Sequence, residues 1–387
     1  MGLFDRFKPK NQAVTVSSYK MVTDEGGGFY AWNGNLYFSD IVRSAIRPKA
    51  RAIGKAVAKH IRKSDLKGKM ETKVNPDVYM KFLLEEPNPY MTGQQMQEKL
   101  ATQLELNHNA FAYINRDKNG YATEIYPITS MYCEAVKNGN GELFLRFTMR
   151  NGKTFTFRYT DIIHLRKDYN ENEIFGDSPA EVLAPLMEIV NTTDQGIVKA
   201  IKNSNIIKWL LKFNQTIRPE DLKKATKQFV DDYLNIESDT VGAAAHDSKF
   251  DAKQVEPKDY VPNEHQMDKT VQRIYSFFNT NDDIVQSSYD ENKWISYYEA
   301  VIEPDIIQLS NEFTRKLFSR RERGHGNIIV FESSNLSFAS MTTKLNLVNF
   351  VDRGILSPNE VRAVLNMAPV EGGDEMIRRL DTRPTTE

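Results

Sequence analysis

Apolar positions recur with a helical period along some stretches of this chain and alternate along others, and the switch between the two divides it. From about Ser39 to Arg62, Ile46, Ile53, Val57 and Ile61 fall near one helical face, with Lys and Arg opposite and Ser39 or Asp40 placed to cap. The turn Asn88-Pro89-Tyr90-Met91-Thr92 opens a second amphipathic helix, capped by Thr92 and striped by Met96, Leu100, Leu104 and Leu106. Between Asn109 and Lys167 the period falls to two. Segments such as Ala110 to Ile114, Leu143 to Met149 and Phe155 to Tyr159 are separated by Lys118-Asn119-Gly120, Asn138-Gly139-Asn140-Gly141 and Asn151-Gly152. This pattern predicts an antiparallel β meander. Residues 1–38 are polar and irregular, with glycines at 26, 27 and 28, and read as an arm with little claim to secondary structure.

The second half is helical. Ser178-Pro179 followed by Glu181 starts a helix directed towards Asn203. Pro219 opens another to about Leu234, with Leu222, Phe229 and Tyr233 on one side. A short-period polar stretch, 236–262, precedes a helix from His265 to Asn279 carrying Met267, Val271, Ile274, Tyr275 and Phe278. Thr280 to Asn292 reads as a polar loop. It leads into a long helix from about Trp294 to Arg323, striped by Ile306, Leu309, Phe313 and Leu317. Pro304 should kink that helix, because its ring clashes with the preceding turn and it has no N–H to donate. Two helices close the pattern: Thr342 to Arg353, stopped by Gly354, and Pro358 to Asn366, entered through a Ser357/Glu360 capping box. Strands followed by helices give an α+β class.

Composition narrows the function. The 387 residues carry 51 Lys and Arg against 52 Asp and Glu, so no global basic field holds nucleic acid, and any DNA contact must be local or topological. Ten basic residues between Arg43 and Lys69 face one acid, Asp65. With no aromatic platforms interleaved, they read as a solvated helix face rather than a phosphate patch. The single cysteine, Cys133, makes no intrachain disulfide, and no CxxC or HExxH spacing suggests zinc, which fits a reducing compartment. No run approaches the roughly 20 apolar residues that span a bilayer, the opening residues lack a secretory core, and Arg6 stands where a myristoylation signal wants Ser or Thr. A soluble protein without a membrane partner is expected.

Candidate chemistry is sparse. The histidines at 60, 108, 164, 246, 265 and 325 form no helical pair at metal spacing, and His164 in Ile162-Ile163-His164-Leu165 alternates as a structural strand residue. Asp117-Lys118-Asn119-Gly120 has its glycine too early for a calcium loop and reads as a hairpin turn. Neither GxxxxGK[ST] nor GxGxxG occurs, so if DNA is moved another protein supplies the energy. The residues admit two alternatives. A nucleic-acid-processing enzyme would need convergent carboxylates, but Asp231-Asp232 and Asp282-Asp283 lack partners at ligand spacing. A DNA-binding regulator built on the C-terminal helical pair would have only Asn359, Arg362 and Asn366 as polar contacts. No catalytic, cofactor or metal residue is expected, and the chain reads as a non-enzyme.

Several stretches carry a resemblance. They are the opening Met-Gly-Leu-Phe-Asp-Arg-Phe; Leu84-Glu85-Glu86-Pro87-Asn88-Pro89-Tyr90-Met91-Thr92; and Asn107-His108-Asn109-Ala110-Phe111-Ala112-Tyr113-Ile114. Ile162-Ile163-His164-Leu165, Phe175-Gly176-Asp177-Ser178-Pro179, Pro304, and Gly354-Ile355-Leu356-Ser357-Pro358-Asn359-Glu360 with Gly372-Gly373-Asp374 follow in order. Together they resemble the phage portal family, in its compact siphophage-like branch. The resemblance implies a ring of about twelve subunits at one capsid vertex of a virion assembled in the host cytoplasm. Through that ring double-stranded DNA is packaged and ejected.

It implies a flexible arm (1–38), a β-rich wing (39–205), a first stem region (206–235), a small clip insertion (236–262) and a second stem helix (263–279). A tunnel loop (280–292), the kinked helix with wing return (293–339) and a short helical crown (340–387) complete it. Asp282, Asp283, Ile284, Val285, Gln286, Ser287 and Ser288 would line the channel, and Pro304 would kink the helix. Gly242, Ala243, Ala244, Ala245 and His246 of the clip would face the terminase large subunit and then the head–tail adaptor. Major capsid and scaffolding proteins are further implied partners, with a role in starting procapsid assembly. The family's common Gly-Val-Pro after the second stem helix is replaced here by Asn279-Thr280-Asn281-Asp282-Asp283-Ile284-Val285.

Overall fold

The computed structural model describes residues 14–20, 36–66, 69–170, 172–204, 208–213, 218–233, 250–255, 264–332, 346–365 and 367–377. The chain divides into two compact units, one of Met1–Ala184 with Val271–Glu387 and one of Pro185–Thr270.

The first unit opens with β1 (Val14–Lys20), α1 (Asp40–Gly54), β2 (Val57–Leu66), β3 (Lys69–Val74), α2 (Val78–Glu85) and α3 (Gly93–Asn107). Strands β4 (Asn109–Arg116), β5 (Ala122–Ile128), β6 (Tyr132–Lys137), β7 (Leu143–Thr148), β8 (Thr154–Arg158) and β9 (Ile162–Arg166) follow. Helix α4 (Ala180–Ser204) enters the second unit, which holds β10 (Lys208–Phe213), α5 (Pro219–Tyr233) and β11 (Phe250–Val255) and leaves through α6 (Glu264–Phe277). The first unit then resumes with α7 (Asp282–Val285), α8 (Glu291–Tyr297), α9 (Glu303–Leu317), α10 (Arg320–Gly324) and β12 (Asn327–Glu332). Two short helices, Val348–Asp352 and Pro358–Val364, come last among the described residues.

The predicted meander is two sheets. Strands β6, β7 and β8 do meander, but the β4–β5 hairpin pairs with β9 in a separate sheet ordered β5-β4-β9. Phe111, Ile128, Cys133, Ala135, Leu145, Phe147, Ile162 and Phe175 form a core drawing on strands of both sheets. Alternation specifies a strand but not its neighbour, so the return of β9 to β4 is invisible to periodicity. The hairpin turn at 117–120 is as expected: Asp117 Oδ1 accepts from the Asn119 and Tyr121 amides at 2.9 and 2.8 Å, and Gly120 takes φ +88°.

Two expectations near the N-terminus are corrected. The helix from Ser39 stops at Gly54, and Val57 and Ile61 lie on β2, which pairs with β12 (Ile61↔Ile328) and with β3 (Ile61↔Val74). A four-residue spacing suits a helix, but the partner strand some 270 positions away decides the conformation. The basic run is thereby split: Arg47 and Arg51 stay on helix, while Lys59 pairs with Glu332 at 2.7 Å. Within the arm, Val14–Lys20 is a strand that covers the free edge of β6 (Val14↔Lys137, Tyr19↔Cys133). Its alternation was too polar to read as a strand before that edge was known.

The long helix is also revised. It ends at Leu317, Phe318 is extended, and Ser319 starts α10 with a Ser319/Glu322 capping box, so Arg323 belongs to a separate turn. Thr92 caps α3 through a capping box with Gln95. At the C-terminus the Ser357/Glu360 box forms, with Ser357 N donating to Glu360 Oε2 at 2.7 Å. Asn359 is consumed holding the following loop, donating to Val370 O and Asp374 Oδ1 at 3.0 and 2.9 Å, and Arg362 donates to Ala368 O at 2.7 Å. Two of the three polar groups a DNA-reading helix would use are therefore internal struts.

In the second unit β10 and β11 pair antiparallel (Lys208↔Val255, Phe213↔Phe250), so α5 sits in the connection between paired strands. Residues 208–213, within the expected first stem region but before its helix, form a strand. Gly242 to His246 lie outside the described residues, as do 333–345 and therefore the start of the Thr342 helix.

Candidate functional site at residues 278–305

The segment joining α6 to α9 is bounded by a left-handed residue in place of glycine. Asn279 takes φ +52°, its amide donates to Ser276 O at 3.1 Å and the Thr280 amide to Tyr275 O at 2.9 Å, which closes α6 in a Schellman motif. Asn tolerates this conformation and a β-branched residue does not. Asn279→Val is expected to cost about 1–2 kcal/mol while Asn279→Gly stays within about 0.5 kcal/mol, read from urea unfolding midpoints.

Beyond it, Asn281 caps α7 by accepting from Ile284 N at 3.1 Å, and Asp290 caps α8 by accepting from Lys293 N at 2.8 Å. The expected polar loop is thus two capped helical turns. Ile284 points into the core, so the exposed members of the expected lining are Asp282, Gln286, Ser287 and Ser288, with Asp283 and Val285 half-buried. Ser287 also takes a left-handed φ, +60°. Lys293 donates to Asp283 Oδ2 at 2.6 Å, and this hydrogen bond holds the Asp283 carboxyl below its ordinary value and Lys293 above its own.

Upstream of Pro304 the ladder widens: residues 298–302 form a π-helical turn, with the Glu303 amide donating to Tyr298 O, five residues back. The extra residue in that turn gives room to Pro304, which has no N–H for the Ala300 carbonyl and whose ring would crowd it. Pro304, where a kink is expected, stands in the first turn of α9, directly after this π turn.

Beneath the segment lies a buried ion cluster that sequence reading missed. Lys49 of α1 reaches Glu105 of α3 at 2.7 Å and Asp305 of α9 at 2.8 Å, and Lys167 reaches Glu105 at 2.8 Å. Burial by itself would lower the Lys49 pKa, but the Glu105 and Asp305 carboxylates together outweigh it and the net shift is upward. Glu105 is likewise buried, which opposes ionisation, and is held below its ordinary value by Lys49 and Lys167. Desolvation dominates at Asp305 and raises it despite Lys49. Tyr297 lies beside the cluster, its hydroxyl pushed up to about 12 chiefly by burial. The signal was present: Lys49 stands three residues after Ile46 and four before Ile53, in phase with the apolar stripe.

A second buried junction gathers three of the motifs. Asn109 Oδ1 accepts from Gly176 N at 2.9 Å and from His164 Nε2 at 3.0 Å, while its Nδ2 donates to Gly176 O and Asn107 O at 3.1 and 3.2 Å. Because Asn109 Oδ1 can only accept, His164 carries its proton on Nε2, and Nδ1 lies 3.3 Å from the Tyr159 hydroxyl. Burial, then nearby Arg166, Lys316 and Arg315, keep the His164 pKa well below its ordinary value. A side chain at Gly176 would collide with the Lys167 and His108 carbonyl oxygens.

A cleft of about 1330 Å³ in the same unit is lined by Tyr79, Arg116, Asp117, Tyr121, Lys316 and Glu322 among others. Asp117 is committed to the hairpin turn and Glu322 to the Ser319 cap. Lys316, lowered to about 8 by burial, donates to the Tyr159 carbonyl. Among the described residues no group of three or more His, Cys, Asp or Glu is arranged to hold a metal, and no helix is long and apolar enough to cross a membrane.

The sequence profile of the phage portal protein family matches residues 40–366. The chain belongs to that family. Curated portal relatives include the "Probable portal protein" of Lactococcus phage p2 and that of Lactococcus phage SK1, each 25% identical over 185 residues, 45% of this chain and 49% of theirs. The chain thus matches about half the length of these curated relatives. Solved structures share the portal fold. The neck of an empty gene transfer agent particle computed with C6 symmetry superposes with TM-score 0.62 at 14% identity, covering 86% of this chain and 91% of that one. A phage portal protein of the HK97 family from Corynebacterium diphtheriae gives TM-score 0.50 at 12% identity, covering 79% and 96%. The portal-family match takes in both buried clusters, and in this chain Asn109, His164 and Gly176 are joined to one another by hydrogen bonds.

Proposed function

We propose that this portal-family chain assembles with copies of itself into a ring at a capsid vertex, through which double-stranded DNA passes, and that it makes and breaks no covalent bond. In this reading α4 and α6 form the stem, and the insertion between them, β10, α5 and β11 included, is the clip that meets the packaging motor and then the adaptor. The clip therefore extends beyond 236–262 to roughly 205–263. Segment 280–292 faces the channel, and Gly242 to His246, outside the described residues, are proposed as clip residues that meet the motor and the adaptor.

The observation that carries the reading is the charge of that segment. Asp282, Asp283, Asp290 and Glu291 are answered by one cation up to residue 293, and Lys293 is held by Asp283. A conduit must not grip phosphates, because every Lys contact is repeated in each subunit and the multiplied affinity would stall translocation. A carboxylate-rich lining with its lysine occupied repels the backbone and lets it slide.

Native mass spectrometry with negative-stain class averages tests the proposal. A closed ring of about twelve subunits with a central hole is expected. A stable monomer at tens of micromolar, or a protein that cleaves DNA, would sink it.

A further inference from the structure

Lys49 of α1 reaches Asp305 of α9 in a buried ion pair at 2.8 Å, so the helix faces that carry these two residues are turned toward each other. At about 100° per residue, Arg47 and Arg51 lie roughly 160° round α1 from Lys49, and Glu303 and Ile307 lie roughly 160° round α9 from Asp305. All four are exposed, Ile307 by 53%. Lys55 extends the cationic ridge at the α1 C-cap, and Glu299 extends the acidic one across the π turn. The paired helices therefore carry a cationic ridge on one side and an acidic ridge on the opposite side.

Among the described residues neither ridge is satisfied: Arg47, Arg51, Lys55, Glu299 and Glu303 have no ion-pair partner there. Arg47 with Arg51, and Glu299 with Glu303, are like charges four residues apart, a spacing that by itself weakens a helix. Opposite charge on antipodal faces is what a head-to-tail contact between identical subunits requires, since such a ring uses two different surfaces of each copy. We infer that the Arg47/Arg51/Lys55 ridge of one subunit docks on the Glu299/Glu303/Ile307 ridge of the next copy, with Ile307 as the apolar anchor. The inference rests on the ring proposed above and specifies its contact.

The experiment uses full-length chain in four forms: wild type, Arg47→Glu/Arg51→Glu, Glu299→Arg/Glu303→Arg, and an equimolar mixture of the two variants. Assembly is followed by sedimentation velocity and native mass spectrometry, and folding by circular dichroism and thermal unfolding. Each variant alone is expected to need at least ~100-fold more protein to assemble, with unfolding temperature unchanged, because like charges now meet across the contact. The mixture is expected to restore rings with alternating subunits and an even copy number, since each variant supplies the face the other lacks. Raising salt should weaken the wild-type ring.

Three outcomes overturn the inference: one-sided variants that assemble as wild type does; variants that lose thermal stability but not assembly, which would make the charges helix-end stabilisers; or an Arg47→Glu/Arg51→Glu ring that has lost retention of a DNA fragment, which would make the ridge a phosphate surface. A wild type that never forms rings would instead refute the proposed function.

Discussion

Replacing Lys49 with methionine is expected to destabilise the chain by about 3–5 kcal/mol, because it leaves the buried Asp305 carboxylate uncompensated and facing Glu105. Glu105 keeps Lys167, so most of the loss falls on Asp305. The dependence on pH follows. Asp305 already has a raised pKa from desolvation, and the variant raises it further. A carboxyl whose folded-state pKa exceeds its unfolded value favours the fold while protonated and loses that contribution as pH rises through the folded value. The gap between variant and wild type should therefore be smaller at pH 4.5 than at pH 7.5, measured by urea unfolding at both. Adding Asp305→Asn to Lys49→Met should recover at least ~1 kcal/mol, since a neutral amide replaces the stranded charge. A loss below about 1 kcal/mol at pH 7.5, or a gap that widens in acid, would show that the cluster does not hold α1, α3 and α9 together.

Asn109→Ala should cost about 2–4 kcal/mol, because it strips partners from the Gly176 amide and carbonyl and from His164 Nε2 in a site closed to water. Gly176→Ala attacks the same junction sterically and should be comparably damaging. His164 adds a pH signature. Its folded pKa is depressed, so the neutral ring contributes stability above the ordinary histidine value near 6.5, and that stability is lost as pH falls below it. The wild-type urea midpoint should drop between pH 7 and pH 5, and His164→Phe, which keeps the 4.4 Å stack on Phe111, should lessen that drop. Equal drops in the two proteins would mean that His164 is hydrated or already paired with an acid.

How much of this was legible depends on the range of the interaction involved. Thr92, Ser357 and Glu360 announced helix starts because a cap is made within four residues, and the 117–120 turn was readable for the same reason. The strand Val57–Leu66 and the edge strand Val14–Lys20 were not, because each exists only against a partner far along the chain. The α+β class, the helices around the insertion and the sparseness of catalytic chemistry came from local pattern and composition, as did the acidic character of 282–291.

Only the tertiary structure brought Lys49, Glu105, Lys167 and Asp305 to one point, and Asn107, Asn109, His164 and Gly176 to another. Charge on an apolar stripe is visible in a sequence, but its partner is not, since burial is tolerated only where the fold delivers the opposite charge within about 3 Å. Backbone propensities and caps act over one turn and are written residue by residue. Desolvation and ion pairing act across elements separated by up to hundreds of residues, and the folded chain alone sets them.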